Sequence, residues 1–161
     1  MTSCRLNNWD QKCEEIVNEQ IQLEYWASYQ YHLMWTYFDR SDVALDNIAE
    51  FFKKNAEEER EHAHKLMKYQ NLRGGTVKLE GVRPVNLSFL DNVQNDVLAS
   101  FEKALSMEQL VYKSLLEVHK AGEECNDPQF TDFIEGEYLE EQVSALNEIS
   151  KYVTQLKRIG E

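Results

Sequence analysis

Residues 57–75, EEEREHAHKLMKYQNLRGG, carry the pattern that decides the fold. At about 100° per residue, Ala56, Glu59, Ala63 and Leu66 line one face of a helix, with His62 at the edge of that stripe. Gly74 and Gly75 then close the helix, since glycine tolerates the left-handed backbone that a helix end adopts. A carboxylate and an imidazole three residues apart on an apolar face need partners, and the rest of the chain supplies them.

Working outward, four segments repeat the 3.6-residue apolar period: Asp10 to Asp39, Ala44 to Arg73, Asp91 to Gly122, and Asp127 to Arg158. Each has about 30 residues and is therefore about 45 Å long. Ser41 or Asp42 is placed to cap the second segment, and Asp127-Pro128 sets a cap before a first-turn proline at the fourth. The first and third connectors are short and force antiparallel neighbours. From Gly74 to Leu90 the connector has about 17 residues, enough when extended to run the length of the bundle, so the second and third helices run parallel. The spacing predicts an all-α four-helix bundle, one domain over residues 1–161, with a single long crossover.

Composition agrees with this. Only six Gly and two Pro occur in 161 residues, and the abundant Glu, Leu, Lys, Gln and Ala favour helix. Acidic residues outnumber basic ones 29 to 17, and the net charge of −12 repels phosphate backbones and anionic membrane surfaces while concentrating cations. Neither nucleic acid nor membrane is an expected partner. Even the aromatic stretch from Tyr25 to Phe38 is broken by Ser28, Gln30, His32 and Thr36, well short of a membrane span. Cys4, Cys13 and Cys125 cannot all pair within one chain, and the opening MTSCRLNNWD holds no apolar signal-like run, so a reducing, cytoplasmic setting is expected.

Each helix carries one polar residue inside its apolar stripe. Glu24 sits among Val17, Ile21, Ala27, Tyr31 and Trp35. Glu108 lies between Ala104 and Val111, and Gln142 between Tyr138 and Ala145. With Glu59, all four fall near the midpoints of their helices and so meet at one level. Three buried carboxylates repel one another, and each is costly to keep ionised without a counter-charge. A bound cation compensates, and carboxylates with one imidazole suit iron, manganese or zinc. Glu59, between Glu24 and Glu108, is able to bridge two ions. The spacing predicts a well-liganded first metal at Glu24, Glu59 and His62, a looser second at Glu59 and Glu108, and Gln142 hydrogen-bonding nearby. The overlapping pair Glu61 and His64 points about 200° and 140° away from Glu59.

Several long motifs in order then resemble one known family. LEYWASYQYH (residues 23–32), YFDRSDVAL (37–45), EEEREHAHKLMKYQNLRGG, SLLEVHK (114–120) and NDPQFTDFIEGEYLEEQV (126–143) are similar to the ferritins, specifically to the heavy-type subunit with ferroxidase activity. The resemblance implies intracellular iron storage, with Fe(II) oxidised by O₂ at a buried two-iron site and a ferric oxyhydroxide mineral formed inside a protein cage. It implies that Glu24, Glu59, His62 and Glu108 hold the two irons, with Tyr31 and Gln142 beside them. Glu58 and Glu61 are similar to carboxylates that nucleate mineral, although His64 stands where a further Glu is typical. Asp132, Glu135 and His119 are similar to the lining of a three-fold iron-entry channel.

The family further implies a homo-oligomer, a 24-mer cage, and co-assembly with other subunit types. It also has a short fifth helix, expected here to be absent because the sequence stops at Gly160-Glu161. Two other readings stay open on the residues alone. One is a di-iron oxygenase acting on an organic substrate, which usually needs a second complete Glu-x-x-His motif. The other is a catalytically silent, cage-forming bundle whose acids are structural.

Overall fold

A computed structural model describes residues 3–5 and 8–160. Part of the opening stretch and the terminal Glu161 lie outside the described residues. Helix α1 (Gln11–Phe38) begins at Asp10, whose carboxylate accepts the Lys12 N–H at 2.7 Å. Helix α2 (Asp46–Leu72) ends at Gly74, which has a φ of +79°. Its successor Gly75 donates back to the Gln70 carbonyl. Helix α3 (Asp96–Glu124) is capped by Asn95, and α4 (Pro128–Ile134) by Asp127, whose side chain accepts from Phe130 N–H. A π turn (Glu135–Leu139) joins α4 to α5 (Glu140–Ile159), so these three pieces form the single fourth rod of the bundle. Among the described residues the structure has no strand.

Two boundaries differ from the sequence reading. Neither Ser41 nor Asp42 caps α2, which starts from Leu45 without a side-chain cap. Asp42 is instead paired with Arg40, and Leu45 N–H donates to Phe38 O at 3.1 Å through a corner where Ala44 takes a left-handed φ of +53°. The third helix begins at Asp96 rather than near Asp91, because Ser88–Leu90 forms a separate 3-10 turn.

The crossover follows α1 closely. Asn18 receives Lys78 N–H and donates to Thr76 O, and twelve residues later Gln30 donates to Asn86 O at 2.8 Å. The strap therefore runs parallel to α1, and α3 starts where α1 ends, with Tyr37 OH donating to Asp96 at 2.8 Å. This makes α2 and α3 parallel, as the connector length requires. Aromatic clusters fill both ends of the core. Phe38, Phe51, Phe52, Phe101 and Tyr152 pack at one, and Trp9, Tyr69, Phe130 and Phe133 at the other. The buried acids Glu24, Glu59 and Glu108 lie between these clusters.

At the second of these ends, Arg73 bridges elements far apart in sequence. It is 3% exposed, sits 4.6 Å over the Trp9 ring, and pairs with the buried Asp127 at 2.5 Å. Tyr69 OH accepts a further Arg73 N–H at 2.6 Å. Arg73→Ala is expected to lower stability by about 3–5 kcal/mol, because the Asp127 carboxylate would stay interior without its cation. A chemical-denaturation midpoint equal to the parent's would contradict this.

Candidate metal centre

Halfway along the bundle the apolar core is interrupted. Glu24 (0% exposed) on α1, Glu59 and His62 on α2, Glu108 on α3 and Gln142 on α5 are all buried. One ligand atom each from Glu24, Glu59 and His62 lies within 4.8 Å of the others, a spacing that a single metal ion spans. Glu108 stands on the far side of Glu59. Its Oε1 accepts Tyr31 OH at 2.5 Å and its Oε2 accepts the Gln142 amide, which also donates to the Glu108 carbonyl at 3.1 Å.

Glu24, like Glu108, is oriented by hydrogen bonds from its neighbours. Gln20 donates to Glu24 Oε1 at 2.8 Å and is itself held by Ser114 Oγ at 2.6 Å. The other oxygen, Glu24 Oε2, has no hydrogen-bond partner, since His62 Nδ1 approaches only to 3.8 Å. A wholly buried carboxylate oxygen without a hydrogen-bond partner, beside an imidazole and a second carboxylate, is a donor that a cation would satisfy. His62 Nδ1 also faces Glu59 at 3.4 Å.

The electrostatics follow from this crowding. Burial, then the charges of Glu108 and Glu24, pushes the Glu59 carboxyl well above its usual range. Burial raises Glu108 as well, with the Tyr31 and Gln142 hydrogen bonds working against it. Burial alone would also raise Glu24, but His62 and Glu59 outweigh it and hold Glu24 low. Burial opposes a charged His62, yet its two carboxylate neighbours lift it to about 11. Tyr31 is pushed upward by burial and the Glu108 charge, so its phenol keeps its proton and donates.

Two contributors escaped sequence reasoning. Glu141, half exposed, reaches His62 Nε2 at 3.4 Å from the outside. Tyr138 packs edge-on against the His62 ring and donates its hydroxyl to the His62 carbonyl at 2.8 Å. Both depend on the π turn, whose widened backbone shifts the phase of everything after it. Adjacency to Gln142 was the only signal for Glu141. On α1, Met34 rather than Trp35 joins the fully buried stripe.

The remaining sequence-selected residues are dispersed. Glu58 and Glu61 border a shallow cavity of about 240 Å³ that also touches Lys54, Glu57, Lys65, Glu141 and His62. His64 pairs with Glu61 at 3.6 Å and points away from the buried cluster. His119 Nε2 meets Glu135 at 2.6 Å on the surface, and Asp132 is exposed beside them on α4.

Comparison with known proteins agrees with the geometry. The ferritin-like domain family matches residues 14–159. A chloroplastic ferritin of Malus baccata var. xiaojinensis is 52% identical over 95% of this chain and 61% of its own length. The chloroplastic ferritin-1 of Pisum sativum is 51% identical over 99% of this chain and 63% of its own. For the chloroplastic ferritin-4 of Arabidopsis thaliana the values are 50%, 94% and 59%. The chain thus spans about three fifths of the length of the curated relatives it matches. These names correct the expectation of a cytoplasmic setting, which rested on cysteine count and the opening residues: the relatives are plastid proteins. No described helix is long and apolar enough to cross a membrane. Since the matched region takes in every helix of the bundle and every member of the buried acid cluster, the chain belongs to the ferritin family.

Proposed function

We propose that this protein stores iron by oxidising Fe(II) with O₂ at the mid-bundle cluster and directing the Fe(III) product into a mineral within a cage of identical subunits. One observation carries the reading: the buried, unpartnered Glu24 Oε2 beside Glu59 and His62, three donors of the kind Fe(II) accepts. Iron is the substrate here. Glu24, Glu59 and His62 take the first ion. Glu59 and Glu108 take the second, with Gln142 and Tyr31 fixing the Glu108 carboxylate. Two ferrous ions surrender electrons to O₂, and the protein's share is to hold both ions close and supply negative charge that stabilises Fe(III).

The acidic rim around His62 gives the product a way out. Fe(III) is harder and more acidic than Fe(II), so Glu141, Glu58 and Glu61 draw it to the surface, where hydrolysis to ferric oxyhydroxide begins. Asp132, Glu135 and His119 form the entry side when three subunits meet. A 24-subunit cage and co-assembly with other subunits follow the ferritin resemblance, and a plastid setting follows the chloroplastic relatives by analogy. An oxygenase acting on an organic substrate is disfavoured, because the opening at His62 is lined by Lys54, Glu57, Glu58, Glu61, Lys65 and Glu141 rather than apolar groups.

The test is anaerobic addition of two Fe(II) per chain, then admission of air, with size-exclusion chromatography of the same sample. The expected outcome is rapid ferric absorbance co-eluting with a large assembly. Oxidation no faster than in buffer alone would sink the reading.

A further inference from the structure

The three cysteines are free and lie outside the Glu24–Glu59–His62 group. Two of them nonetheless meet. Cys13, fully buried in the first turn of α1, directs its thiol at the Ala121 carbonyl at 3.7 Å. Cys125, the residue that ends α3, donates its backbone N–H to that same carbonyl at 3.1 Å. Two groups served by one carbonyl oxygen are within a side chain's reach of each other. One residue earlier on each helix, Lys12 and Glu124 form an ion pair, so the helices are held in matching register at this point.

We propose that Cys13 and Cys125 are a peroxide-oxidised thiol pair that closes a disulfide between the start of α1 and the end of α3. The half-buried Cys125 is the accessible partner, and the Lys12 ammonium lies near both sulfurs. Its thiolate attacks hydrogen peroxide: an S–O bond forms, the O–O bond breaks, and hydroxide leaves. Cys13 then attacks the sulfenic sulfur. The S–S bond forms, the S–O bond breaks, and the Cys13 proton leaves with the departing oxygen as water. In sum, two thiols give two electrons to one peroxide and two waters result. Burial, then the neighbouring Cys125, pushes the Cys13 thiol up to about 12, which suits a partner that waits rather than one that reacts first. The bond would close a loop of about 110 residues, removing much freedom from the unfolded chain. It would also pin the corner leading to Asp127, which caps α4 and pairs with Arg73. The proposal is independent of the iron site.

The experiment treats the full chain, without iron, with stoichiometric hydrogen peroxide. Free thiols should fall from three to one per chain, peptide mapping without reductant should give a Cys13–Cys125 link, and the urea midpoint should rise and return on reduction. Cys4→Ser should change none of this. Cys125→Ser, at a half-exposed corner that tolerates the change, should leave both remaining thiols free and abolish the midpoint shift. Cys13→Ser should do the same; if it does not fold, Cys125→Ser alone decides. A link through Cys4, a link between chains, or Cys125 driven to sulfinic acid beside an unreacted Cys13 would overturn the proposal.

Discussion

Replacing Glu59 and His62 together with alanine is expected to slow Fe(II) oxidation by about 100-fold or more, because under the proposed function the change removes two of three donors for one ion and the bridge to the other. The fold should survive. Ala56 and Ala63 already show that this α2 face tolerates a small side chain, and the double change removes a carboxyl that burial and two like charges disfavour. The control is Glu61→Ala with His64→Ala, the overlapping pair that shares the same three-residue spacing but is exposed. It should keep the initial oxidation rate and slow only the later growth of mineral. Stopped-flow ferric absorbance distinguishes the two phases. If the Glu59/His62 variant oxidises iron at the parental rate, the mid-bundle cluster is not the site.

A second large effect concerns protons. At neutral pH the metal-free cluster holds a proton on His62, raised to about 11, while Glu24 is held low and Glu59 is pushed upward. A metal bound through an imidazole nitrogen of His62 displaces that proton. Binding should therefore release at least one proton, and affinity should rise by about 10-fold per pH unit near neutrality. Zn(II) serves as a redox-silent probe, titrated calorimetrically in buffers of differing ionisation enthalpy. Affinity that does not change between pH 6 and 8 would refute the proton assignment.

The stability of the metal-free protein runs the opposite way with pH. A histidine raised from about 6.5 to about 11 contributes stability that is complete below the lower value and lost as pH rises between them. Glu59, also raised, begins to lose its contribution above the ordinary carboxylate value. Glu24, held low, loses its contribution only in acid. The metal-free protein should accordingly melt at a lower temperature as pH is raised above neutrality, and Zn(II) should reverse that loss.

Much of this was legible in the chain itself. A helix is a local structure with a fixed angular step, so the stripes around Glu24, Glu59 and Glu108 could be drawn from spacing alone, and the midpoint positions of those residues implied a common level. The parallel course of α2 and α3 followed from the length of the crossover. What spacing could not supply was contact between side chains on different helices. Nothing in EGEYL announces a π turn, which is held by Tyr138 reaching the His62 carbonyl across the bundle. Glu141 comes to His62 only because of that turn, and Glu24 Oε2 is left unpaired only because Ser114 and Gln20 claim its twin. The start of α2 moved for a similar reason, with Arg40 taking the carboxylate that would otherwise cap it. Periodicity, set by backbone geometry within each segment, determined which residues face inward. Which of their atoms are satisfied, protonated or free to take a ligand was decided only when distant segments packed, because burial and neighbouring charge are properties of the assembled core.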